Sequence, residues 1–169
     1  MGAFMDWLEN SRINEMTKKT PAEVLWKSGF GKDVGKFNIQ DEDYEIEFDE
    51  FIENNQKVAG IKFFRMKDDT RVIKYVESKD PLTVSLTMKE QVKLYLVHKK
   101  PDVFGFMGDL AEKGRLRHYQ RLLTVLNREF STSYSYAYTA DRGGERIFIL
   151  SRDEEVLDSI ILALKDKLE

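Results

Sequence analysis

The chain has 169 residues, of which 41% are hydrophobic and 34% charged, with a formal charge of −3 and no cysteine. That length can bury a core without covalent staples, and the composition is that of a folded chain rather than a disordered one. Disulfides, thiolate metal sites and a cysteine nucleophile are excluded, and the net acidity offers no global attraction to nucleic acid or an anionic membrane.

The acidic start MGAFMDWLENSR reads neither as a secretory signal nor as a myristoylation site, since Asp6 stands where Ser or Thr is needed. With no apolar run near the roughly 20 residues of a membrane span, a cytoplasmic protein is expected. Phe4, Trp7, Leu8 and Met16 follow helical spacing and predict a first helix. In TPAE, Thr20, Pro21 and Glu23 make a capping box, which predicts a short second helix ending at Gly29. GFGKDVGKF (29–37) reads as a loop.

From Asp41 the period changes to two: Tyr44, Ile46 and Phe48 alternate with Glu45, Glu47 and Asp49, as in a strand with one wet face. VAGIKFF (58–64) and RVIKYVE (71–77) continue as two more strands around the turn KDDT, which suggests an antiparallel meander. Thr87 and Glu90 form a second capping box, predicting a helix that runs to about Lys99 and is stopped by Pro101. DVFGFM (102–107) has no wet alternation and reads as a central strand. A helix over KGRLRHYQRLLTVLNREF (113–130) follows, then a hairpin with Tyr134, Tyr136 and Tyr138 on one face and DRGG as its turn. Ser151 and Glu154 make a third capping box before a last helix whose inner side is Val156, Leu157, Ile160, Ile161 and Leu164. The expectation is one α+β domain, with residues 1–40 a helical segment packed on a core of residues 41–169.

The order of elements from about Tyr44 to Leu150 resembles the GNAT N-acetyltransferase fold, which implies a mixed, mostly antiparallel sheet of about six strands flanked by helices. GRLRHYQRLL is the best local likeness, and it implies Tyr119 as the general acid that protonates a departing CoA thiolate, with acetyl-CoA as cofactor. The stretch that should carry the family's glycine-rich pyrophosphate loop departs from the pattern. It reads ESKDPLTVSLTMKE, without a glycine, with Pro81 lacking a donor and with Glu77 and Asp80 opposing an anion. KPDVFGFMG, GRLRHYQRLL and the Tyr-rich hairpin together also resemble small proteins of tailed bacteriophages, over about Met88 to Leu150. That likeness implies an accessory product acting in an infected or lysogenic host cell.

Within the 113–130 helix, Leu116, Tyr119, Leu123, Leu126 and Phe130 step by three and four, a core stripe. Arg117, Arg121 and Arg128 lie on another stripe, with Arg115 and His118 nearby. Guanidiniums at this spacing suit a phosphate-bearing ligand or an acidic protein surface. The loop GDLAEKGR offers N–H groups for an anion at the helix start, opposed by Asp109 and Glu112. The eight carboxylates of 41–53 read as a strand's wet face or an interaction surface. His98 and His118 lie on separate helices without the spacing of a metal site, and the three hairpin tyrosines could stack bases. The leading expectation is a non-enzymatic protein that binds a protein or phosphate-bearing partner through Arg115, Arg117, His118, Arg121 and Arg128, with no cofactor and no metal. The alternatives are an acetyl-CoA-dependent acetyltransferase using Tyr119, and a nucleic-acid-binding protein. A homo-oligomer is compatible with the separated acidic and basic segments.

Overall fold

The structure, a computed structural model, describes residues 20–29, 31–72 and 78–169. Two-residue turns set its layout. Gln40-Asp41, Asn54-Asn55, Asp68-Asp69 and Gly143-Gly144 all have positive φ at both positions, between 50° and 81°. This is the type I′ turn, whose twist matches that of the strands it joins; Asn, Asp and Gly enter it at least cost. The first three of these turns join β2 (Lys32–Ile39), β3 (Glu42–Glu53), β4 (Gln56–Lys67) and β5 (Thr70–Arg71) in succession, and β1 (Leu25–Gly29) pairs with β2 to extend the antiparallel meander. Then come α1 (Pro81–Lys99), β6 (Val103–Asp109), α2 (Lys113–Glu129), the hairpin β7 (Tyr136–Arg142) and β8 (Glu145–Ser151), and α3 (Asp158–Leu168).

The fold is α+β. Its strands form one sheet in the order β1-β2-β3-β4-β6-β8-β7, with β5 also on β4. All pairings are antiparallel except β4 with β6, which run parallel over Val58–Ile61 and Val103–Phe106. Helices α1 and α2 cover one face, where Val84, Met88, Val92, Tyr95, Leu122 and Leu126 meet Ile46, Phe48, Phe104 and Phe106. On the opposite face α3 lays Ile160, Ile161, Leu164 and Leu168 on Val58, Val103, Ile147 and Ile149. The helix sits close because β4 and β6 carry glycine beneath it: a Cβ at Gly60 would come within 2.9 Å of Leu168, and one at Gly105 within 3.0 Å of Leu164.

Eight strands stand among the described residues where about six were expected, chiefly because Leu25–Gly29 and Lys32–Ile39 are not helix and loop but the paired strands β1 and β2. A nine-residue helix is marginal by itself, whereas the strand gains backbone partners from Leu25–Gly29 against Lys32–Lys36. It also sets the Trp26 ring 5.7 Å from Phe48. Gly35 belongs inside β2 for the same reason, since a Cβ there would lie 2.6 Å from Val24 and 2.9 Å from Trp26. The expected 4–16 helix and most of the 71–77 strand lie outside the described residues.

Two helix starts also differ. Asp80, not Thr87, caps α1: its carboxylate accepts from Thr83 N at 3.2 Å and Thr83 Oγ1 at 2.7 Å, and Pro81 takes the first position. Thr87 is buried in the second turn, where its hydroxyl donates to Thr83 O at 2.7 Å and accepts from Ala22 N at 2.9 Å. Ser151 ends β8, and α3 begins seven residues later at Asp158, leaving Leu157 exposed. The end of α1 is as expected: Lys100 takes the left-handed cap at φ 48° just before Pro101.

Phe48 joins these parts, 2% exposed and stacked 4.1 Å from Tyr95. Replacing it with alanine should cost about 3–5 kcal/mol, read as a lower denaturation midpoint at unchanged slope.

Candidate functional site

The 113–130 helix divides as its spacing implied. Tyr119, Leu122, Leu123 and Leu126 of α2 are buried, and Leu116 and Phe130 pack beside them. Tyr119 presents its ring edge-on to Phe106 and Phe148, with centroids 5.3 and 6.0 Å away. Gly108 permits this approach, because a Cβ there would stand 3.0 Å from Leu116 and 3.3 Å from Tyr119. Its role is packing rather than anion binding. The GDLAEKGR loop likewise spends its N–H groups internally: Ala111 N donates to Asp109 Oδ1 at 2.8 Å, Glu112 N to Asp109 O at 3.0 Å and Leu110 N to Gly144 O at 3.0 Å.

The cation cluster expected on this helix is two groups. Arg117, Arg121 and Arg128 point outward and are exposed. Arg117 and Arg121 make no ion pair among the described residues. Arg115 and His118 turn instead toward a cavity of about 80 Å³ that they share with Tyr119. Its other walls include Tyr44, Phe63, Arg65 and Ser78, contributed by the strands and the approach to α1. The cavity lies where β4 changes neighbours: β6 pairs only as far as Ile61 and β5 begins at Met66, so Phe63 and Arg65 sit between the two pairings.

Its cations are held by acids. Arg65 pairs with Glu42, which also accepts from Lys79 N at 2.8 Å, and Arg115 lies 3.3 Å from Glu112. Tyr44 OH donates to Ser78 Oγ at 2.8 Å, and burial raises its pKa. His118 has its pKa lowered, first by burial and then by the Arg121 charge. The N-terminus of α1, the place for a pyrophosphate in the acetyltransferase likeness, is filled by the Asp80 carboxylate.

The acidic stretch is not the wet face it resembled. Glu42, Glu45, Glu47 and Asp49 are all buried, at 3–6% exposure. Lys32 of β2, Lys62 of β4 and Arg71 of β5 lie over Glu45, Glu47 and Asp49, placed there by a strand register that periodicity within β3 does not reveal.

The three tyrosines do not form one row. Tyr134 precedes the strand and is buried with the α1–α2 core, its hydroxyl donating to Pro101 O at 2.5 Å. Tyr136 and Tyr138 stack on each other at 6.3 Å, on the side of α3. Among the described residues, no three His, Asp or Glu side chains are placed to hold a metal ion. No described helix is long and apolar enough to cross a membrane.

Tyr44, Phe63, Arg65 and Ser78 were not singled out beforehand. Arg65 left a signal: in IKFFRMK it occupies the inward parity of Ile61 and Phe63, where a cation is out of place.

Because its folded pKa lies below the unfolded value of 6.5, His118 withdraws stability as pH drops from that value toward the lower one. Its imidazole should titrate below 6.5 by NMR, and Arg121→Ala should move the midpoint upward. Comparison with protein-family models, with curated proteins and with solved structures finds no match.

Proposed function

We propose that this protein acts by binding rather than by catalysis, and that the outer face of α2 meets an acidic protein surface or a phosphate-bearing partner. One observation carries the reading. Arg117 and Arg121 stand exposed without an ion pair among the described residues, whereas Arg65, Arg71, Lys62 and Lys93 are each engaged by a carboxylate. Two guanidiniums a helical turn apart, with Arg128 two turns further on, present planar forks suited to carboxylate or phosphate. In the setting implied by the likeness to tailed-phage proteins, the partner would belong to the host cell.

Exposed arginines contribute little to folding, so Arg117→Ala/Arg121→Ala/Arg128→Ala should leave stability within about 0.5 kcal/mol. The same variant should weaken binding of a poly-glutamate peptide or of inorganic pyrophosphate about tenfold, or 1.4 kcal/mol, at low salt. Unchanged affinity for both probes removes the assignment.

The second reading is an acetyltransferase with Tyr119 as acid. It is favoured by the cavity, which brings Tyr119 to the gap between the two pairings of β4. Against it stand the Asp80 carboxylate on the α1 N-terminus and the ring packing of Tyr119. Calorimetry with acetyl-CoA separates the two: no heat is expected at millimolar ligand, and micromolar binding overturns the non-enzymatic reading.

A further inference from the structure

The strand register shows which main-chain groups the sheet leaves unused at its β7 end. Among the described residues β7 pairs only with β8, so its outer side is an edge. In an antiparallel pair, partners that exchange hydrogen bonds alternate with partners that do not. Two bonds settle the alternation here: Leu110 N donates to Gly144 O at 3.0 Å, and Arg152 N to Asp102 O at 3.2 Å. Both continue the register of β8 with β6, so the even-numbered residues of β8 turn their main chain toward β6. The odd-numbered ones, Glu145 to Ser151, turn toward β7 and bond Arg142, Ala140, Tyr138 and Tyr136. The two-residue turn at Gly143-Gly144 agrees, since the residues flanking such a turn form a bonded pair. Ala137, Thr139 and Asp141 remain, exposed, with N–H and C=O groups directed away from β8.

This edge is not blunted. YAYTADR (136–142) has neither proline nor lysine, the residues that usually guard an edge, and its charges lie only beside the turn. An open groove of about 310 Å³ runs along it, with Gln120, Thr124 and Asn127 of α2 facing Ala137 and Thr139. Arg117 falls on the same stripe of α2 by steps of three and four, and Arg121 and Arg128 border that stripe. All three arginines are exposed. The Asp141 carboxylate is already taken by Arg146, at 2.8 and 3.1 Å, which offsets its charge. On the other face of the edge, Tyr136 and Tyr138 stack at 6.3 Å.

We propose that the β7 edge takes an extended acidic segment of a partner protein as an added strand. Main-chain bonds to Ala137, Thr139 and Asp141 hold it, and its carboxylates meet the arginines of α2. This rests on the reading of α2 given above and states the partner's form. Successive side chains of the added strand lie on opposite faces. Those on the α2 side suit glutamate, and those beside Tyr136 and Tyr138 suit valine or isoleucine. Main-chain bonding then supplies affinity and the alternating side chains specificity. A second copy of the chain fits worse. Antiparallel pairing of two β7 edges continues the sheet with its faces unchanged, which sets two α2 helices side by side. Their arginines would repel, whereas an acidic strand brings the opposite charge.

The probe is a nonapeptide alternating glutamate and valine, titrated into the whole chain at low salt with amide exchange followed by NMR. The amides of Ala137, Thr139 and Asp141 should gain protection, while those of Tyr138 and Ala140, already bonded to β8, should change little. Two versions of the peptide carry N-methyl groups on alternate nitrogens. One should bind about tenfold more weakly and the other not, because only every second nitrogen faces β7. Thr139→Pro removes an edge donor outside the β8 ladder. It should weaken the peptide to a similar degree and leave pyrophosphate affinity unchanged. Equal binding of both methylated peptides, unchanged exchange at the three edge amides, or no peptide binding at millimolar concentration overturns the proposal. If the triple arginine variant still loses pyrophosphate in that case, the reading of α2 stands without the edge. Peptide affinity that falls in Thr139→Pro but not in the arginine variant overturns the acidic partner and the arginine reading together. Protection of the same amides that grows with protein concentration, without peptide, makes the occupant a second copy and overturns the proposal. Should the proline variant not fold, the wild-type measurements decide alone.

Discussion

Strand β4 is the constraint on which the other parts depend. Along one edge it pairs with β3 from Gln56 to Met66. Along the other it is shared, with β6 parallel on Val58–Ile61 and β5 antiparallel on Met66–Lys67. A parallel neighbour cannot follow through a tight turn, so the chain must cross over before β6, and α1 belongs to that crossover. The change of partner leaves Phe63 and Arg65 under the starts of α1 and α2, where the cavity is. On the reverse side of the same strand, Lys62 reaches the carboxylates of β3. One strand thus sets the chemistry of both faces.

The buried charges give that arrangement its register more than its stability. Taking carboxylates and ammonium groups out of water costs several kcal/mol per ion, and their attraction repays it only when geometry is good. A slip of one residue between β3 and β4 would carry Lys62 to the apolar face and Phe63 to the acidic one, leaving charges unpaired on both sides. Phe64 adds to the same selection, because the Arg71 guanidinium lies 4.1 Å over its ring. Hydrophobic pairing alone would discriminate less sharply, since Ile61, Phe63 and Phe64 are all apolar.

Much of the architecture was readable because it is local. Alternation marked β3 and β4, the unbroken apolar run marked β6, and GG between alternating segments marked the last hairpin. Stepping by three and four separated Tyr119, Leu123 and Leu126 from Arg117, Arg121 and Arg128. What failed depended on partners distant in the chain. TPAE has the letters of a helix cap, yet Ala22 is bonded to Thr87 and Trp26 rests on Phe48, which no local pattern announces. The carboxylates of β3 alternate as a solvated face would, and only Lys32, Lys62 and Arg71 from other strands make that face an interior. Of the site, the α2 residues were visible, and the β3 and β4 walls were not, apart from the misplaced parity of Arg65.

The run of two-residue turns also bears on how the chain finds this state. Each hairpin of the meander closes a short loop, whereas Val58 meets Val103, a residue 45 positions further along the chain. Loop-closure entropy rises with that separation, and contacts between distant segments reward the chain only after it is paid. The β1–β5 meander therefore forms at little entropic cost. The parallel seam between β4 and β6 carries the larger closure cost, uniting the meander with the α2–β7–β8 half. Until that seam closes, the edge of β4 that later receives β6 is open backbone, the part of this fold most exposed to pairing with another chain.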